Sequence, residues 1–90
     1  MRQDMSIPKV SIRQIKAARA LAGWSQEDLA SASGVSLPTI KRLEAQDGEV
    51  GGRPETGQRL RGALEAAGVV FLEDGGTADG GPGVRLREKT

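Results

Sequence analysis

Residues 24–46 read WSQEDLASASGVSLPTIKRLEAQ, and the spacing of small, turning and apolar residues in them predicts two short helices folded tightly against each other. Leu29 and Ala30 fall on the inner side of the first helix, Gly34 where the chain must reverse, and Val35, Ile40 and Leu43 on one side of the second. Ala30 is small, so the second helix can cross closely. Gly34 can take a positive φ without the Cβ penalty. Ile40 and Leu43, three apart, aim one stripe of the second helix inward and leave Leu37, Pro38, Lys41 and Arg42 facing out.

Working outward, three helix starts share one grammar. Val10-Ser11-x-x-Gln14-Ile15, Trp24-Ser25-x-x-Asp28-Leu29 and Val35-Ser36-x-x-Thr39-Ile40 each place an apolar residue before a serine and another five positions later. Each serine is expected to cap a helix inside a hydrophobic staple, with Gln14 and Asp28 as box-like partners. The helices are expected at residues 12–22, ended by Gly23, at residues 26–33 and at residues 37–45. The first carries Ile12, Ile15, Ala18, Arg19 and Ala22 along one side, so a charge interrupts its apolar stripe. Trp24, the only tryptophan, reads as a core plug against Leu29 rather than a platform for stacked bases.

Upstream, residues 1–9 lack periodicity and Pro8 keeps its predecessor out of helical geometry, which suggests a flexible N-terminal arm. Downstream, the glycines and acids of DGEVGG mark a loop. Pro54 suits the first turn of a fourth helix, Glu55 lies near its positive end, Leu60, Leu64 and Ala67 give its stripe, and Gly68 caps it. Residues 10–68 therefore read as one helical domain.

Beyond Gly68 the period falls from 3.6 to 2. Val69, Val70, Phe71 and Leu72 make a strand that is apolar on both faces, and Val84-Arg85-Leu86-Arg87 alternates apolar with basic. The glycine-rich DGGTADGGPG between them reads as a loop. Residues 69–90 are thus expected to form a β-hairpin or strand tail, and two strands alone are marginal in water. The expected role is dimerisation, with Val69, Val70, Phe71, Leu72, Val84 and Leu86 of two chains sharing one sheet or packing across a twofold axis. The alternative is a hairpin folded onto its own helices.

Composition agrees with a small binding module. Ninety residues make one domain that buries only about 60% of the surface its unfolded chain exposes, so a second subunit would help it. The absence of cysteine and histidine leaves no disulfide framework and argues against zinc or any other metal; no cofactor is expected. No apolar run is long enough to cross a bilayer, and the N-terminus lacks the apolar stretch of a signal peptide, so a cytoplasmic location is expected. Net charge is +1, divided as seven bases against four acids in residues 1–45 and six against eight in residues 46–90. That polarity fits a protein touching phosphates with one face, and equally a mixed solvated surface. An enzyme is not expected: His, Cys and Tyr are missing, and no carboxylate pair or nucleophile-base spacing stands out. The glycines after Asp74 lack the following Lys-Ser/Thr of a phosphate loop.

Gln26, Ala30, Gly34, Ile40, Leu43 and Glu44, with the flanking helices over roughly residues 11–67, resemble the helix-turn-helix of lambda and Cro repressor-like, xenobiotic-response-element type transcription regulators. The resemblance implies a mainly α fold: a four-helix DNA-binding domain, here followed by the β tail where similar regulators often have a fifth helix. It implies sequence-specific binding of double-stranded DNA, as a homodimer on a near-palindromic operator and with repression as the expected outcome. By motif position, Ser36, Leu37, Pro38, Lys41 and Arg42 would reach bases. Arg42 can form two hydrogen bonds to guanine, whereas Leu37 and Pro38, where many relatives have glutamine, can only touch thymine methyls. Ser25 and Gln26, at the positive start of helix two, are expected to hold phosphate, with Thr39 assisting. Arg19 is expected to pair with Glu44 as a structural clamp, as in similar families. A second class of function is open, an antitoxin or protein-interaction module whose tail binds a partner protein.

Overall fold

The computed structural model describes residues 10–51, 54–73 and 80–87. The expected N-terminal arm lies outside them, as do residues 74–79 of the glycine-rich loop. Four helices precede two strands: α1 (Ile12–Ala22), α2 (Gln26–Ser33), α3 (Leu37–Glu44), α4 (Pro54–Ala66), β1 (Val69–Leu72) and β2 (Gly83–Leu86). The chain is mainly α, as the sequence implies.

The serine grammar sets the helix starts. Ser11 Oγ accepts from the Gln14 N–H and Gln14 Oε1 accepts from the Ser11 N–H, both at 3.0 Å. Ser25 and Asp28 repeat this reciprocal box at 3.0 and 2.9 Å. α3 has the cap without the box: Ser36 Oγ accepts from the Thr39 N–H at 3.3 Å and donates to Thr39 Oγ1 at 2.9 Å. Its first turn holds Pro38, where a missing N–H costs nothing. Gly23 and Gly34 close α1 and α2 with φ of 72° and 78°, the left-handed geometry that glycine adopts without strain.

The inward stripes meet in one core. Ile12, Ile15 and Ala18 of α1, Leu29 of α2, Ile40 and Leu43 of α3, and Leu60 and Leu64 of α4 are buried together with Val10 and Val35. Trp24 and Ala30 pack half-buried against them. One member of the expected α4 stripe departs: Ala67 is exposed, because the helix stops at Ala66 and the chain turns there into β1, and Ala63 packs on the core instead. The loop after α3 is pinned to the start of α1, with the Ile12 N–H donating to Gly48 O at 2.7 Å and the Val50 N–H to Val10 O at 3.0 Å.

β1 and β2 pair antiparallel within the chain, Val69 opposite Leu86, Val70 opposite Arg85, Phe71 opposite Val84 and Leu72 opposite Gly83. Paired residues share a face, so Val69, Phe71, Val84 and Leu86 turn toward the helices and Val70, Leu72 and Arg85 turn away. Val69 and Phe71, expected at a subunit contact, lie in the core of their own chain. Val84 packs at the margin, and Leu86, at the end of its strand, stays 47% exposed. Two side chains fasten the hairpin down. Gln14 Nε2 donates to Leu72 O and Gly83 O, each at 3.1 Å, and the Arg61 guanidinium lies 5.1 Å over the Phe71 ring while donating to Glu65 at 2.9 Å.

Candidate nucleic-acid interface

α3 is divided lengthwise. Ile40, Leu43 and Glu44 are buried, while Ser36, Pro38, Lys41 and Arg42 are exposed and Leu37 and Thr39 are half-buried. The exposed side thus carries two cations, and Leu37, expected to face fully outward, turns its flank toward the body. No ion pair ties Lys41 or Arg42 to another described residue. Both are therefore available to an anionic or hydrogen-bonding partner.

The buried side is held by one carboxylate. Arg19 grips Glu44 with two parallel hydrogen bonds, Nε to Oε2 at 2.8 Å and Nη2 to Oε1 at 2.7 Å, and its Nη1 donates to Trp24 O at 3.0 Å. Gln26 Nε2 donates to the same Glu44 Oε1 at 3.0 Å, and Lys16 Nζ to the Glu44 backbone carbonyl at 3.2 Å. So α1, the turn after it, the first residue of α2 and the last of α3 meet at one point. The planar guanidinium fork fixes orientation as well as distance. Burial by itself would push the Glu44 carboxyl up. Hydrogen bonds from Arg19 and Gln26, with the charges of Arg19 and Lys16, outweigh it and hold the group below the usual carboxylate range. The Glu44 hydrogen bond lifts Arg19 above its ordinary value against the opposing effect of burial, and the Glu44 charge adds to the lift.

The start of α2 is partly committed. The Ser25 N–H donates to Asp28 and the Gln26 amide to Glu44, so neither is a spare donor for phosphate. What remains are the backbone N–H groups of Gln26 and Glu27, since that of Asp28 already donates to Ser25 Oγ. Glu27 and Asp28 in the same turn favour the helix and oppose an anion there. The Ser36 hydroxyl is likewise engaged with Thr39 on both its proton and a lone pair.

Two contacts at this site escape a reading of the sequence: the Gln26 amide on Glu44 and the Lys16 ammonium on the end of α3. A partial signal existed for Lys16, which precedes Arg19 by three positions and so shares its side of α1. For Gln26 there was none beyond its place at the start of α2.

Residues 15–51, from within α1 to the loop after α3, match the family model for a helix-turn-helix. Comparison with curated proteins returns no match. That stretch is a helix-turn-helix of the kind found in lambda/Cro repressor-like, xenobiotic-response-element type regulators, a family that binds DNA to regulate transcription. Binding DNA, not catalysis, is the activity of that family. No helix among the described residues is long and apolar enough to cross a membrane, and among them no cluster of three or more acidic, His or Cys side chains is arranged to hold a metal ion.

Proposed function

We propose that the chain reads a near-palindromic operator through the major groove as a homodimer and represses transcription from it. The observation that carries this reading is the division of α3, bolted to the body on one side by Ile40, Leu43 and Glu44 and open on the other at Ser36, Pro38, Lys41 and Arg42. Arg42 supplies the bidentate contact to guanine, and Lys41 a base or a phosphate. Pro38 and the half-exposed Leu37 offer thymine methyls an apolar surface. Ser36 reads a base edge only by giving up its bond to Thr39, so it contributes least to discrimination. Thr39, with the first turn of α2 at Ser25 and Gln26, holds the backbone.

The homodimer is proposed through the C-terminal strands, at Leu86 and the open strand edges, with Val70, Leu72 and Val84 flanking and Val69 and Phe71 supporting from within. Repression needs only occupancy of a site that polymerase must also use. Selection of bound duplexes from a random pool, followed by titration at several salt concentrations, tests the reading. A split symmetric motif with a steep salt slope is expected. A pool in which no sequence is enriched removes it.

A further inference from the structure

The hairpin presents a second surface that shares no residue with α3. Its outward face carries Val70 and Leu72, both half-buried, and Arg85, exposed opposite Val70. Arg87 continues the same alternation on the same side, its N–H donating to Gly68 O at 2.7 Å, and is also exposed. Arg19 and Arg61 are each tied to a carboxylate, but no described carboxylate pairs with Arg85 or Arg87. The face is a patch of two apolar and two cationic side chains on a sheet whose strands each have an open edge.

Three occupants differ in what they would do with those four side chains. A second copy of the same face would set Arg85 and Arg87 against their own counterparts, a like-charge arrangement that costs stability. A nucleic-acid backbone would use the guanidiniums but give Val70 and Leu72 nothing to bury against. An extended segment that presents both carboxylates and apolar side chains on one of its faces satisfies both halves of the patch. Side chains two apart in such a segment share a face, as they do in the sheet, so the two chemistries sit at positions i and i+2.

We propose that the outer face of the hairpin docks a partner protein through an extended acidic-apolar segment, its carboxylates on Arg85 and Arg87 and its apolar side chains on Val70 and Leu72. This goes beyond operator reading, for it gives a DNA-bound regulator a separate contact with another protein. The test uses the full chain and a short synthetic peptide of repeating Glu-Ser-Val-Ser, which sets glutamate and valine on the same face of an extended segment, followed by amide chemical-shift mapping. Saturable shifts confined to residues 69–72 and 83–87 are expected, with none from the same peptide carrying lysine in place of glutamate. The double variant R85E/R87E, altered only at exposed positions, should bind the acidic peptide about tenfold more weakly. Shifts elsewhere or none, or equal affinity in the double variant, overturn the proposal. The same variant decides the rivals: a sedimentation coefficient that changes in R85E/R87E while Leu86→Asp leaves it unchanged marks a self-contact through this face, and a reduced salt slope on duplex DNA marks a backbone contact, and either overturns it. Failure of the wild-type chain to select an operator would remove the reading of α3 while leaving this contact standing.

Discussion

At the scale of residues, the placement of α3 depends on Glu44, whose side chain is 6% exposed, and on Arg19, at 20%. Truncating either leaves the other without its main partner, and for a buried pair that costs about 3 to 5 kcal/mol. Arg19→Ala should fall near the low end, about 3 kcal/mol, because Gln26 still donates to the orphaned carboxylate; denaturant unfolding followed by Trp24 fluorescence measures it. The sign of the pH dependence follows from the depressed Glu44 value. Its contribution is complete above the ordinary carboxylate value near 4.5 and is lost as pH falls through the lower folded-state value. Stability of the native chain should therefore drop below about pH 4.5 more steeply than that of Glu44→Gln; parallel curves would show that the pair contributes little. On the open side of the helix, Arg42→Ala should cost about 1 to 3 kcal/mol of operator affinity and relax preference at one base pair per half-site. Lys41→Ala, if the ammonium holds phosphate, should weaken every duplex alike and lower the salt slope by about one. Equal losses on all sequences for Arg42→Ala would move that residue to the backbone class.

At the scale of elements, Gln14 joins the cap of α1 to the hairpin. Its carbonyl closes the capping box while its amide nitrogen serves one carbonyl from each strand, and the side chain is only 6% exposed. Gln14→Glu separates the two jobs. Glutamate keeps the acceptor that the Ser11 N–H needs and removes the donor, placing a carboxylate against two carbonyl oxygens. Hydrogen exchange should accelerate at the amides of β1 and β2 and stay slow in α1. Equal acceleration in both would mean that the hairpin and helix open together. The same residue shows how far the sequence could be read. Helix ends were legible because Ser11, Ser25 and Ser36 encode caps within three or four residues, and Gly23 and Gly34 encode stops. The strands were legible from their period of two. The contacts of the Gln14 amide were not, because they span 58 and 69 positions and a box uses only part of what an amide can bond. The Gln26 bond to Glu44, across 18 positions, was hidden for the same reason. Ala67 misled because a helical stripe on paper does not say where the chain turns.

At the scale of the whole molecule, size sets the need for a partner. A chain of this length buries only about 60% of the surface its unfolded chain exposes, less than a larger domain does, and a single short recognition helix reads few base pairs. Both shortfalls are met by a twofold pair, which would place two copies of α3 about 34 to 36 Å apart on one side of the duplex. Intramolecular pairing of β1 with β2 restricts how such a pair can form. Val69 and Phe71 are fixed inside, so the proposed contact falls to Leu86 and the strand edges. Leu86→Asp tests that assignment, because the position is exposed in the single chain and its change leaves the core intact. Sedimentation should then report a monomer, and affinity for a palindromic duplex should fall by about 10² to 10⁴, the advantage that linkage gives a second binding event. Affinity for an isolated half-site should not change, since α3 and its clamp are untouched. A variant that stays dimeric with full operator affinity would place the twofold axis on another surface, and the exposed Leu21 of α1 would be the next position to alter.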